Sequence, residues 1–249
     1  MIWRSIHVFI TFVALLFSAC LEDNLTAVPG TGDFSTSHQP IINGVPTSEP
    51  HHDAVVSLHE RVGNFVYVAP YCNGTLIAED VVMTAAHCVD VAPAASSDFS
   101  LLNANRLLIY VGDQPDEDLL SHLYWVDEIK IHPLFDRVGM MYDIALIRLL
   151  TPVTEVEPVP YLTEALGFSD SDIGEDLNIV GFGTTAVGIY GVKLQIDVSL
   201  AGFGCAVPGC AGVDSPTTQI SYSQSAGGPC SGDSGGPAFI EREGTWYAA

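Results

Sequence analysis

Three short segments of this 249-residue chain carry side chains whose types suit nucleophilic attack on a carbonyl. The first is Gly232-Asp233-Ser234-Gly235-Gly236-Pro237. A Ser hydroxyl is a poor nucleophile at neutral pH, so a catalytic one needs a base beside it and donors for the developing oxyanion. The glycines around Ser234 suit a tight turn that leaves backbone N–H groups free to face a reacting carbonyl. The second segment, Thr84-Ala85-Ala86-His87-Cys88, follows the β-like Val81-Val82-Met83 and offers a His amid small residues. The third sets Asp143 at the head of the apolar run Ile144-Ala145-Leu146-Ile147. Taken singly, each has a plainer reading: a polar Gly-rich turn, a packed or surface His, a strand start. Only a fold that brings all three together gives Ser234 its chemistry.

The elements available to do that are short. Alternating, β-branched stretches at 55–58, 64–69, 107–111, 123–132, 144–149, 179–182, 194–200 and 219–222 are each bounded by Gly, Pro, Asn or Asp. No long helical pattern follows residue 20, and 163–166 offers a turn at most. Many short strands with turn signals predict an all-β barrel or sandwich. Hydrophobic residues make up 48% of the chain and charged ones 15%, which excludes disorder over most of its length. Eight basic against 30 acidic residues leave a net charge of −22, which disfavours nucleic acid as a partner. The acidic stretch 113–118 shows no ordered ligand spacing and reads as a solvated loop rather than a Ca²⁺ site. The six cysteines form no paired CxxC pattern, so no structural metal is expected.

The amino terminus sets the compartment. Residues 1–19 read as an export signal, with Arg4 before an apolar stretch and Ser18-Ala19 before the cut. Leu16-Phe17-Ser18-Ala19-Cys20 resembles a bacterial lipobox, with Phe17 where Leu is usual, so Cys20 is the expected lipidation site and membrane anchor. Residues 20–40 are turn-rich and read as linker or propeptide. An exported chain meets an oxidising compartment in which disulfides persist.

Together, TAAHC, DIALIRL and GDSGGP, in that order, resemble the trypsin/chymotrypsin family of serine endopeptidases. Ile41-Ile42-Asn43-Gly44, Ile131-His132-Pro133 and Gly181-Phe182-Gly183-Thr184 are similar to further family motifs, so the resemblance runs from residue 41 to 249. It implies two antiparallel β-barrels, the first over 41–150 carrying His87 and Asp143, the second over 151–249 carrying Ser234. It implies Ser234 as nucleophile, His87 as general base and then acid, Asp143 as the group that orients the imidazole, and the N–H groups of Gly232 and Ser234 as the oxyanion hole. It also implies a Cys72–Cys88 disulfide beside His87, and a switch in which a freed Ile41 ammonium pairs with Asp233. The substrates would be proteins or peptides, and neither metal nor organic cofactor is called for. A binding protein of weak or no activity on the same fold, and an esterase-like hydrolase, are the rival readings.

The sequence departs from the family pattern in three places. Pro40 precedes Ile41 where a basic residue is usual, so an activating protease of a different kind is expected. Gly228 stands at the base of the implied specificity pocket, which disfavours a trypsin-like preference for basic side chains. The chain also stops at Ala249, before the segment that in relatives walls the pocket and supplies a partner for Cys230. The expectation is therefore a carboxy-terminally truncated member with an incomplete second barrel, in which Cys230 lacks the partner usual in the family. Cys205 and Cys210 are candidates to bond to each other.

Overall fold

Apolar residues at every second position make one face of a strand hydrophobic, and the segment Ala145–Leu149 shows the consequence. Ala145, Ile147 and Leu149 point into a core, while Leu146 and Arg148 face out. The computed structural model describes residues 41–163, 166–183, 191–204, 219–224 and 227–249. The expected signal, Cys20, the linker, Thr184, Cys205 and Cys210 lie outside the described residues.

The first sheet contains β2 (Val55–Val62), β3 (Phe65–Val66), β4 (Cys72–Ala78), β5 (Val81–Thr84), β6 (Leu107–Tyr110), β7 (Leu123–Ile131) and β8 (Ala145–Leu149). Its order is β3-β2-β4-β5-β8-β7-β6, and a further antiparallel pairing of β2 with β6 closes six of these strands into a barrel. Closure leaves those six without an unpaired edge. The interior is filled by Val56, Leu58, Leu76, Val82, Ile109 and Ile147, all buried.

The second sheet contains β1 (Val45–Pro46), β9 (Asp176–Gly181), β10 (Leu194–Phe203), β11 (Ile220–Tyr222), β12 (Ala238–Arg242) and β13 (Thr245–Ala248). Its path is β1-β10-β9-β12-β13, with β11 also on β10, and it curls without closing among the described residues. Alternation along β9 and the residue beyond it serves two cores. Leu177 and Ile179 pack with Leu194, Val198 and Ile240, whereas Val180 and Phe182 pack into the cluster of the first barrel. The architecture is all-β and two-barrelled, as expected.

The chain does not divide where the sequence suggests. Residues 41–46, placed by sequence with the first barrel, belong to the second sheet. Val45 pairs with Gln195, and Ile42 bridges Gly228 through bonds of 3.0 and 3.1 Å. The reason is Ile41, whose fully buried side chain finds its apolar neighbours in the second core. The stretch 113–118 also differs from a freely solvated loop. Asp113 binds the buried ammonium of Lys193 at 2.9 Å, and Asp118 accepts from the Tyr110 hydroxyl at 2.5 Å.

Candidate active site

His87 sits in a tight turn (Ala86–Val89) directly after β5, whose pairing with β4 and β8 fixes its position. Asp143 reaches it from the start of β8. Its Oδ2 accepts from the His87 ring Nδ1 at 2.6 Å, and its Oδ1 accepts from the His87 backbone N–H at 2.8 Å. One carboxylate therefore holds both the ring and the main chain of the same residue. The bond at Nδ1 puts the ring proton there and leaves Nε2 as an acceptor.

The loop presenting Asp143 is folded under strain. Met140 and Tyr142 have φ of +53°, a left-handed conformation that bulky side chains rarely adopt. The Tyr142 ring stacks on His132 with centroids 5.0 Å apart, and His132 N–H bonds Ile144 C=O at 2.9 Å, closing the base of the loop. The His-Pro segment noted in the sequence thus braces the turn that delivers Asp143.

Cys72 and Cys88 are disulfide-bonded, with Cα atoms 6.0 Å apart, and so tie the His87 turn to the start of β4. Their sulfurs lie near the His87 ring, a cluster whose donor atoms fall within 4.8 Å of one another. Both thiols are spent in the bond, so this group lacks the thiolates that would hold a soft metal. Cys230 is also disulfide-bonded.

Ser234 follows β11 in a turn whose glycines are required. Gly232 and Gly235 have φ of +96° and +80°. A Cβ on Gly235 would come within 2.3 Å of Thr84 Oγ1 and 2.5 Å of Asn73 O. The loop consequently packs flush on β4 and β5. Asn73 N–H donates to Ser234 C=O at 2.7 Å, and Cys88 Sγ lies 3.5 Å from that same oxygen. These contacts bring the Ser234 backbone to the His87 turn. Its hydroxyl is not hydrogen-bonded to the His87 ring here. Within the loop, Asp233 N–H bonds Cys230 C=O and Gly236 N–H bonds Asp233 C=O. None of these loop bonds uses the N–H groups of Gly232 and Ser234.

Asp233 is buried. Its Oδ1 accepts from Gly183 N–H at 2.7 Å and from Asn73 Nδ2 at 3.4 Å, and its Oδ2 accepts from Cys230 N–H at 2.9 Å. Burial pushes its pKa up to about 6, with these hydrogen bonds acting in the opposite direction. The structure does not join Ile41 to Asp233, since the Ile41 nitrogen is an amide in the continuous chain. Gly228, the expected specificity residue, pairs with Ile42 and is not among the residues lining the cleft beside His87. That cleft holds about 680 Å³ and is walled by His87, Asp143, Tyr142, Tyr161, Gly236 and Pro237 among others.

One residue of this site has no signal in the sequence. Asn73 lies in Asn73-Gly74, a pair that reads as a turn, yet it is fully buried near the start of β4, paired with Ser57 of β2.

The Trypsin family model matches residues 41–247. A trypsin of Sarcophaga bullata is 28% identical over 144 residues, 58% of this chain and 50% of that protein. The human chymotrypsin-like elastase family member 1 is 32% identical over 127 residues, 50% of this chain and 44% of that protein. U21-ctenitoxin-Pn1a of Phoneutria nigriventer is 27% identical over 221 residues, 80% of this chain and 82% of that protein. The chain spans half the length of the first of these, and 17% of clotting factor C of Tachypleus tridentatus, another relative. With the matched segment covering most of the sequence and the two-barrel fold in place, the chain belongs to the trypsin family.

Proposed function

We propose that this protein is an exported serine endopeptidase with Ser234 as nucleophile, His87 as general base and Asp143 as the residue that fixes the base. The observation that carries this is the double hold of Asp143 on His87, at 2.6 Å on the ring and 2.8 Å on the backbone. It leaves Nε2 unprotonated on the side available to a nucleophile. Ser234 Oγ attacks the scissile carbonyl as its proton passes to Nε2, and the C–O bond forms while the carbonyl becomes an oxyanion. The N–H groups of Gly232 and Ser234 receive that charge, and loss of such a donor typically costs about 2.7–4 kcal/mol. The imidazolium then gives its proton to the departing amine. Water attacks the acyl-enzyme with His87 again as base, which releases the acid and restores Ser234.

Activation fits cleavage before Ile41. The new ammonium would supply the cation that Asp233 lacks in the continuous chain, favouring its charged form and ordering the oxyanion loop. Pro40 calls for an activating protease that is not trypsin-like. Gly228 at the pocket base favours an uncharged side chain before the scissile bond. Residues 1–19 direct export, Cys20 carries the lipid anchor, and 20–40 act as linker and propeptide.

The test is digestion of a peptide library by the full chain processed before Ile41, beside assays on simple esters. Internal peptide cleavage that disappears in His87→Ala is the expected result. Hydrolysis confined to esters would make the protein an esterase-like hydrolase, and activity surviving His87→Ala would overturn the assignment.

A further inference from the structure

Asn73 makes two contacts to the nucleophile loop from a strand of the opposite barrel, and a third to the neighbouring strand β5. Its N–H donates to Ser234 C=O at 2.7 Å, its C=O accepts from Thr84 Oγ1 at 2.6 Å, and its Nδ2 donates to Asp233 Oδ1 at 3.4 Å. The neighbouring glycines are cleared around it. A Cβ on Gly181 would come within 2.6 Å of Asn73 Nδ2, and one on Gly236 within 3.3 Å of Asn73 Cβ.

The fourth contact is missing. Asn73 Oδ1 is buried and has no hydrogen-bond partner. A buried acceptor left unpaired is costly, so a small apolar residue here would serve stability as well or better. What the amide supplies in return is its donor, aimed at a carboxylate with few other resources. Asp233 is held by the backbone N–H groups of Gly183 and Cys230, and Tyr222 is the other titratable group whose field it meets. Among the described residues, no cation figures among the groups that perturb it. The amide orientation follows from the same contact, since the flipped form would set Oδ1 against the carboxylate.

We propose that Asn73 is a positioning residue for the nucleophile, holding Ser234 through its backbone and keeping the Asp233 carboxylate charged and in place through its side chain. It touches no substrate. The role rests on the assignment of Ser234 above, but its thermodynamic signature does not, and that separates the two in the test. Without the amide donor, the Asp233 pKa, already pushed up to about 6, climbs further. The penalty of removing the donor is therefore absent where Asp233 is protonated and grows as the carboxylate ionises.

The experiment measures Tm at pH 4 and pH 7 for the full continuous chain, for Asn73→Ala and for Asn73→Asp. It also measures fluorophosphonate labelling of Ser234 at pH 7 in the processed forms. Asn73→Ala should melt no lower than wild type at pH 4 and several degrees lower at pH 7, and should label several-fold more slowly. Asn73→Asp, which keeps the shape but sets a second carboxylate against Asp233, should show a larger fall between the two pH values. If Asn73→Ala folds poorly at both, the isosteric variant carries the test. Tm differences that are the same at both pH values would overturn the proposal and leave Asn73 a packing residue. A wild type that never labels, with the pH-dependent Tm differences present, would instead sink the assignment of Ser234 and leave the Asn73–Asp233 coupling standing.

Discussion

Two carboxylates govern this site, and they are handled in opposite ways. Asp143 is partly exposed at the rim of the cleft and spends both oxygens on one residue, the ring and backbone of His87. Asp233 is buried beside Ser234 and spends its oxygens on main-chain N–H groups and one amide. On the proposed mechanism the first arrangement orients a base that must later carry charge, so its carboxylate needs an imidazole partner and some solvent. The second fixes a loop, so its carboxylate needs geometry more than it needs to exchange protons. Glycine marks the difference. A Cβ on Gly183 would land 2.4 Å from Asp233 Oδ2, and one on Gly181 would land 2.2 Å from Oδ1, so the box around Asp233 has no spare room.

The largest expected effect breaks the first arrangement. Asp143→Asn retains shape but can no longer specify the Nδ1–H tautomer. It should lower kcat by about 10⁴-fold, the magnitude seen for the equivalent change within this family, with little change in Tm. A Tm loss equal to that of a core mutant would mean Asp143 acts on the fold and not on the base.

Next come two effects of similar size. Replacing Cys72 and Cys88 together by Ser removes the bridge that ties the His87 turn to β4 and should cost about 3 kcal/mol, read from urea unfolding. An unchanged unfolding midpoint would show the turn to be held by the strands alone. The other effect is a pH dependence belonging to Asp233. Its folded pKa of about 6 exceeds the ordinary carboxylate value of 3.8, so its contribution to stability is complete below 3.8 and is lost as pH rises through about 6. By neutral pH this amounts to about 3 kcal/mol in the continuous chain. Asp233→Asn should therefore gain in Tm relative to wild type as pH rises from 4 to 7. A constant difference would contradict it. His59 runs the other way. Burial lowers its pKa to about 4, so its contribution is present above 6.5 and lost as pH falls through 4.

A smaller effect sharpens the comparison. Gly183→Ala puts a methyl group into the Asp233 box and should cost about 1–3 kcal/mol by overpacking, with slower labelling of Ser234. Enlarging a residue at the Asp143 rim, as in Tyr142→Trp, should leave stability nearly untouched. Equal costs at the two places would mean that the boxes do not differ in tightness.

The same contrast explains what could be read from the sequence. His87, Asp143 and Ser234 each sit in a local string of residues whose types announce them, and β8 shows its alternation openly. Asn73 and β4 do not. Asn73-Gly74 has the composition of a turn, but Gly74 is there because β5 lies so close that a Cβ would meet Val82 at 2.6 Å. The placement of residues 41–46 in the second sheet depends on Ile41 finding a core built from residues more than a hundred positions away. Likewise the raised pKa of Asp233 comes from its burial, against which donors from Cys230 and from the distant Gly183 and Asn73 act. Local pattern marks the groups proposed to do chemistry, while the groups that hold them in place are set by long-range packing.

The central claim is that Ser234 is an activated nucleophile, and fluorophosphonate labelling of the full chain processed before Ile41 tests it most directly. Wild type should label stoichiometrically on a peptide containing Ser234, and Ser234→Ala should not label at all. Equal labelling of both, or no labelling of either after cleavage before Ile41 has been verified, would contradict the account.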